Sequence, residues 1–66
     1  MVYKTLDELP LVLKVEQVAE ILEINRNTAY ELTRSADFPA IRIGKSIRVP
    51  KQGFIDWLNQ PKTVNL

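Results

Sequence analysis

Two helical stretches separated by only three residues constrain this chain more than any other feature of it. Val15, Val18, Ala19 and Leu22 recur at i, i+3, i+4 and i+7, with Glu16, Gln17, Glu20 and Glu23 on the opposite face. Lys14 stands where a helix cap belongs and is a poor one, although Gln17 holds the third position of a capping box. Glu23-Ile24-Asn25 then breaks the helix around an apolar Ile24. Asn25 is a good cap for a second helix, because its side-chain oxygen can accept from the amide of Asn27 or Thr28. That helix is expected over residues 26–35, with a thin apolar side of Ala29, Leu32 and the aliphatic part of Thr33. A short helix, a three-residue turn and a second helix with so narrow a buried stripe make a helix-turn-helix.

Composition decides what else the chain can be. Its 66 residues hold one domain with one small core. A domain of that size buries only ~60% of the surface its unfolded chain exposes. The 45% apolar content is that of a globular chain. Cysteine is absent, so neither a disulfide framework nor a thiolate metal site can supplement the core. Histidine is absent as well, which removes the commonest general base, the commonest metal ligand and every Ser/His or Cys/His nucleophile. Asp7, Glu8, Glu16, Glu20, Glu23, Glu31, Asp37 and Asp56 are scattered and mostly accounted for as helix surface, and Gly44 and Gly53, the only glycines, form no phosphate loop. The expectation is a protein that is not an enzyme and uses no cofactor or metal. The opening residues carry no apolar leader, and the longest apolar run, residues 11–13, is far too short to span a bilayer. A cytoplasmic location is expected.

A net charge of +1 conceals a segregation. In residues 1–23, Lys4 and Lys14 face Asp7, Glu8, Glu16, Glu20 and Glu23, a balance of −3. In residues 24–51, Arg26, Arg34, Arg42, Lys45, Arg48 and Lys51 face Glu31 and Asp37, a balance of +4. Such a division suits a polyanion on one side of the molecule.

Leu11-Val12-Leu13 after Pro10 reads as a short extended segment. Ala36-Asp37-Phe38-Pro39 is a breaker in which Pro39 forces Phe38 towards extended geometry, and Phe38 is expected to plug the core edge. Ile41-Arg42-Ile43, Gly44-Lys45-Ser46 and Ile47-Arg48-Val49 then alternate as a β-hairpin. A three-residue loop would pair Ile43 with Ile47, Arg42 with Arg48 and Ile41 with Val49, keeping apolar residues on one face. A two-residue loop would mix the faces, so the three-residue loop is expected. Pro50 ends the strand and starts a last helix, whose Phe54, Trp57 and Leu58 form an apolar face. Those aromatics belong to a core rather than to a base-stacking platform. Gly53 in the first turn costs roughly 1 kcal/mol relative to alanine, and Pro61 stops the helix.

The hairpin carries the sharpest functional argument. With Arg42 opposite Arg48 and Lys45 at the tip, like charges destabilise one small ribbon unless a phosphate backbone neutralises them. The plain alternative is a charged edge that resists aggregation. On the second helix, Arg26, Asn27, Thr28 and Tyr30 lie in the turns where helix-turn-helix proteins meet base edges. Asn27 can bridge adenine, arginine can fork onto guanine, and the Thr28 methyl can touch thymine. Their ordinary reading is helix surface, with Asn25 only a cap and Tyr30 half core. Glu31 would repel phosphate, so it either accepts from cytosine N4 or pairs with Arg34 three residues on, and the pair is the expectation.

Taken in order, Leu13-Lys14-Val15-Glu16-Gln17-Val18-Ala19-Glu20-Ile21-Leu22, Asn25-Arg26-Asn27-Thr28-Ala29-Tyr30, Phe38-Pro39-Ala40-Ile41-Arg42-Ile43-Gly44-Lys45, Val49-Pro50 and Phe54-Ile55-Asp56-Trp57-Leu58 resemble the excisionase-family DNA-binding domain. The resemblance covers residues 11–59, with 1–10 an N-terminal extension and 60–66 a C-terminal tail. It implies an α+β, MerR-like winged helix-turn-helix, mainly helical, with a small antiparallel hairpin as the wing. It also implies double-stranded DNA as the partner and a bacterial, nucleoid-associated setting. The second helix would lie in the major groove, with Asn25, Arg26, Asn27, Thr28, Tyr30 and Arg34 as its contact set. The wing would lie on the minor groove or adjacent backbone through Arg42, Gly44, Lys45, Ser46 and Arg48. Lys14 departs from the usual hydroxyl cap of the first helix, and Asn25 stands where serine is usual. The family's activity implies an excisionase that bends DNA beside a tyrosine recombinase and self-associates cooperatively on it. A small transcriptional regulator of a mobile element is the alternative, and a protein-interaction module or a fragment of a larger DNA-binding protein is a more distant one.

Overall fold

The computed structural model describes residues 8–64. Most of the expected N-terminal extension and the last two residues of the tail therefore lie outside the described residues. Six elements follow in chain order: β1 (Val12–Lys14), α1 (Val15–Leu22), α2 (Arg26–Leu32), β2 (Ile41–Ile43), β3 (Ser46–Pro50) and α3 (Lys51–Leu58). The strands make one antiparallel sheet in the order β1-β3-β2. This is the winged α+β architecture, with the extended segment before α1 added to the hairpin as a third strand.

The caps explain how tightly α1 and α2 are joined. Lys14, in extended geometry, precedes α1, and its amide donates to Gln17 Oε1 at 2.8 Å. A lysine ammonium has no lone pair with which to return a bond to the helix amides, so only half of the capping box forms. At the other end Glu23 adopts the left-handed conformation, with φ 57° and ψ 44°. The Glu23 amide donates to the Glu20 carbonyl at 3.2 Å and the Ile24 amide to the Ala19 carbonyl at 3.0 Å, the two bonds of a Schellman motif. Its hydrophobic contact is present too, since Ile24 packs against the cluster of Val15, Ala19 and Ala29. Asn25 then caps α2, its Oδ1 accepting from the Thr28 amide at 2.8 Å.

α2 ends at Leu32 and does not reach residue 35. Past it the Arg34 amide donates to Glu31 and the Ser35 amide to Leu32, so the backbone tightens into three-residue turns. The tightening delivers Phe38 into the core just before Pro39, which bars Phe38 from helical geometry.

The main core joins Leu13 of β1, Val18 of α1, Leu32 of α2, Val49 of β3, and Phe54 and Trp57 of α3. Phe38 closes its edge as expected, meeting Trp57 edge-on with ring centroids 4.9 Å apart. Leu58 does not share that face and is 38% exposed. It stands about 100° around α3 from Trp57, on the flank of a stripe whose centre is Phe54 and Trp57. Gly53 has a packing reason: a Cβ there would stand 3.0 Å from Pro39 Cβ.

The hairpin register corrects the expectation. Ile41 pairs with Arg48, Arg42 with Ile47 and Ile43 with Ser46, across a two-residue turn at Gly44-Lys45. Gly44 has φ 58°, whereas Lys45 does not share that region, as in a type II′ turn with glycine first. On the other side of β3, Val12 pairs with Pro50, Leu13 with Val49 and Lys14 with Arg48. Opposed residues share a face. The inner face is therefore Leu13, Val49, Ile47 and Arg42, and the outer face is Val12, Lys14, Ser46, Arg48, Ile41 and Ile43. The central strand is fixed by burial, since Leu13 and Val49 are both fully buried. β2 lies beyond the helices with all three residues exposed, so no buried face rewards one register over the other and the turn decides.

Candidate nucleic-acid interface

α2 turns Ala29, Leu32 and Thr33 into the protein, all buried, which fixes what it can present outward. At 100° per residue Asn27 and Glu31 point away from that stripe, with Arg26 and Tyr30 on one flank and Thr28 on the other, and Arg34 lies in the turn past the helix end. Arg26, Asn27, Tyr30 and Arg34 are all exposed, the first three on α2 and Arg34 just past its end. Tyr30 is 37% exposed, and its hydroxyl donates weakly to Glu16 Oε2 at 3.5 Å. Thr28 sits apart. It is half-buried and lines an apolar hollow with Leu22, Ile24, Leu32, Trp57 and Val64. The Asn25 carbonyl is committed to its cap, which leaves only the amide group for a partner.

No ion pair joins Glu31 to Arg34 among the described residues. Both instead border a shallow hollow with Ser35, Asp37 and Trp57. There the Ser35 hydroxyl donates to the Asp37 carboxylate and holds it below the usual range. The Asp37 backbone and the charge of Lys62 add to that effect. The Lys62 ammonium lies 4.1 Å from the centroid of the Trp57 ring, so this stretch of the tail folds back against α3.

The basic residues of 24–51 divide by what they already hold. Lys51 donates to the Leu9 carbonyl at 3.4 Å, and Arg48, half-buried, donates to the Ile47 carbonyl at 2.9 Å. Arg26, Arg42 and Lys45 are exposed, with no side-chain partner among the described residues. Arg42 and Arg48 are not opposed, as the one-residue shift in pairing puts them on opposite faces of the hairpin. The like-charged pair on the sheet is Lys14 and Arg48, directly opposite across β1 and β3. Gly44 and Ser46 flank Lys45 at the tip, both exposed.

The reading of the residues missed Lys14 as a member of this basic surface, and it missed Ile41 and Ile43 as exposed. Glycine at the first of two central turn positions was the available signal, since it favours the two-residue loop that puts both isoleucines outside. Among the described residues, no group of His, Cys, Asp or Glu gathers to hold a metal ion. No helix among them is long and apolar enough to cross a membrane.

A paired-helix unit with an exposed polar helix face and a basic hairpin beside it defines the winged helix-turn-helix class. A family model described as a helix-turn-helix domain matches residues 12–62, and the chain belongs to that excisionase-like helix-turn-helix family. Two proteins of Mycobacterium tuberculosis, from strains CDC 1551 / Oshkosh and H37Rv, are similar to it, and each bears the name "Putative DNA-binding protein". Each is 35% identical over 46 residues, which is 70% of this chain and 59% of the relative. The chain thus spans less than two thirds of the length of these curated relatives. No solved structure matches it.

Proposed function

We propose that the protein binds double-stranded DNA, with α2 in the major groove and the β2–β3 hairpin as a wing on the adjacent minor groove and backbone. The observation that carries this reading is the set of exposed polar groups on and beside α2, Arg26, Asn27 and Tyr30 on the helix and Arg34 just past its end, together with the exposed cations Arg42 and Lys45 on the wing. Asn27 reads a base edge, Arg26 and Arg34 take a base or phosphate, and the wing cations neutralise phosphates. Thr28 and Asn25 flank this surface and contribute less, because one faces the apolar hollow and the other caps the helix. The relatives' names, which describe DNA binding, support the same reading.

The finer role that the family suits best is that of an excisionase in a bacterial cytoplasm. It occupies adjacent sites, bends the DNA and assists a tyrosine recombinase. A footprint on the DNA flanking its own gene, with binding titrated against salt, tests both levels. Protection and bending at a recombination site support the excisionase, and protection of a promoter alone replaces it with a transcriptional regulator. Binding to no duplex in a salt-dependent manner overturns the DNA reading altogether. Within that reading, Asn27→Ala relaxes discrimination at one base pair by ~1–3 kcal/mol. Equal loss on specific and random duplexes would make Asn27 a backbone contact instead.

A further inference from the structure

The wing exposes aliphatic surface beside its cations. Ile43 is 62% exposed at the base of the turn, and Ile41, two residues back on the same outer face, is 47% exposed. Proteins ordinarily blunt a bare strand edge with charge or proline. β2 carries one arginine and two isoleucines, and both isoleucines point away from the core. The cations surround them: Arg42 lies between them in sequence on the inner face, Lys45 stands at the tip, and Arg48 lies opposite Ile41. An aliphatic side chain framed in this way matches a surface that alternates charge with hydrocarbon.

Duplex DNA offers such a surface in its minor groove, where phosphates edge walls made of deoxyribose carbons. The groove is about 6 Å wide, while two paired strands already stand ~4.8 Å apart. Only the turn and the residues at its base can enter, which are Ile43, Gly44, Lys45 and Ser46. A ribbon tip inside a groove presents its two faces to the two opposing strands. The paired register puts Arg42 on one face of that tip and Ile43 on the other.

We infer that Ile43 is the wing's apolar contact to the deoxyribose wall of the minor groove, set against one strand while Arg42 meets the phosphates of the other. This inference rests on the DNA-binding reading and adds to it a contact of different physical character. Cations bind by releasing counterions, so their contribution falls with salt. The Ile43 contact works by removing hydrocarbon from water and releases no counterion. Its share of the affinity is therefore insensitive to salt.

The test compares Ile43→Thr with Arg42→Gln in the full chain on a single-site duplex, by anisotropy over a series of salt concentrations. Threonine keeps the branched, strand-compatible shape at an exposed position, and an unchanged melting midpoint verifies the fold. Ile43→Thr is expected to bind on the order of tenfold more weakly at every salt concentration, with the wild-type slope. Arg42→Gln is expected to flatten the slope by about one unit. Wild-type affinity in Ile43→Thr overturns the contact. So does a loss seen only on DNA with several adjacent sites, because the isoleucine face would then lie between neighbouring copies. If the wild-type protein itself lacks salt-sensitive duplex binding, the broader DNA reading has failed rather than this part of it.

Discussion

α2 and the wing both present cations to solvent, yet they are held in opposite ways. α2 is pinned at its start by the Asn25 cap and from beneath by Ala29, Leu32 and Thr33, all buried. β2 has no buried residue, and among the described residues the hairpin is anchored through β3, where Val49 packs on Leu13 and Ile47 leans on the Val15 cluster. A helix fixed at its start and along its underside keeps its side chains in one arrangement, which is what reading base edges requires. A ribbon tied along a single strand can bend to follow a backbone. On the DNA-binding reading proposed above, α2 would serve as the firmly held reader and the wing as the more loosely tied clamp.

The largest effect that would break this contrast concerns burial. Leu32→Ala should cost ~2–5 kcal/mol, a large part of the stability of a domain this small. Ile41→Ala in the wing should fall within ~0.5 kcal/mol of wild type. Chemical denaturation of both proteins checks the pair, and a costly Ile41→Ala would show the wing to be as firmly tied as the helix.

Lys14→Thr sharpens the comparison from the scaffold side. A hydroxyl would complete the capping box, and the substitution also removes the charge opposite Arg48. The domain should gain about 1 kcal/mol. A midpoint that stays level or falls in thermal melts would mean that the lysine stem contributes packing which the cap does not replace.

Gly53→Ala should change least. Helix propensity favours alanine by roughly 1 kcal/mol, but the new methyl meets Pro39 at 3.0 Å, tighter than ordinary contact. The two effects nearly cancel, so the melting midpoint should move by no more than a degree or two. A clear gain would show that the loop carrying Phe38 yields easily, and that it too belongs with the compliant part of the molecule.

The helix pair was legible because its signals are local. The period of Val15, Val18, Ala19 and Leu22, the Asn25 cap and the Pro39 breaker each act within a few residues, and each appears where the chain places it. The thin stripe of Ala29, Leu32 and Thr33 was legible for the same reason, and with it the outward set of Arg26, Asn27 and Arg34. Two finer points escaped: the end of α2 at Leu32, and the exposure of Leu58. Both depend on where the core stops rather than on the pattern of the helix itself.

By itself, then, the sequence determined two capped helices in tight succession, a breaker, a basic alternating hairpin and a short aromatic helix. Only the tertiary structure decided the sheet's third strand, and that burial would fix β3 while leaving the register of β2 to its turn. Ile41-Arg42-Ile43 alternates in the same way under either loop length, and a period of two cannot say which face is buried until something covers it. β1 and the helices cover β3 at Leu13, Val49 and Ile47, but nothing among the described residues covers β2. With no burial energy at stake there, the left-handed preference of Gly44 chose the two-residue turn. That choice put Arg42 on the inner face, turned Ile41 and Ile43 to the outside, and set Arg48 opposite Ile41 rather than Arg42.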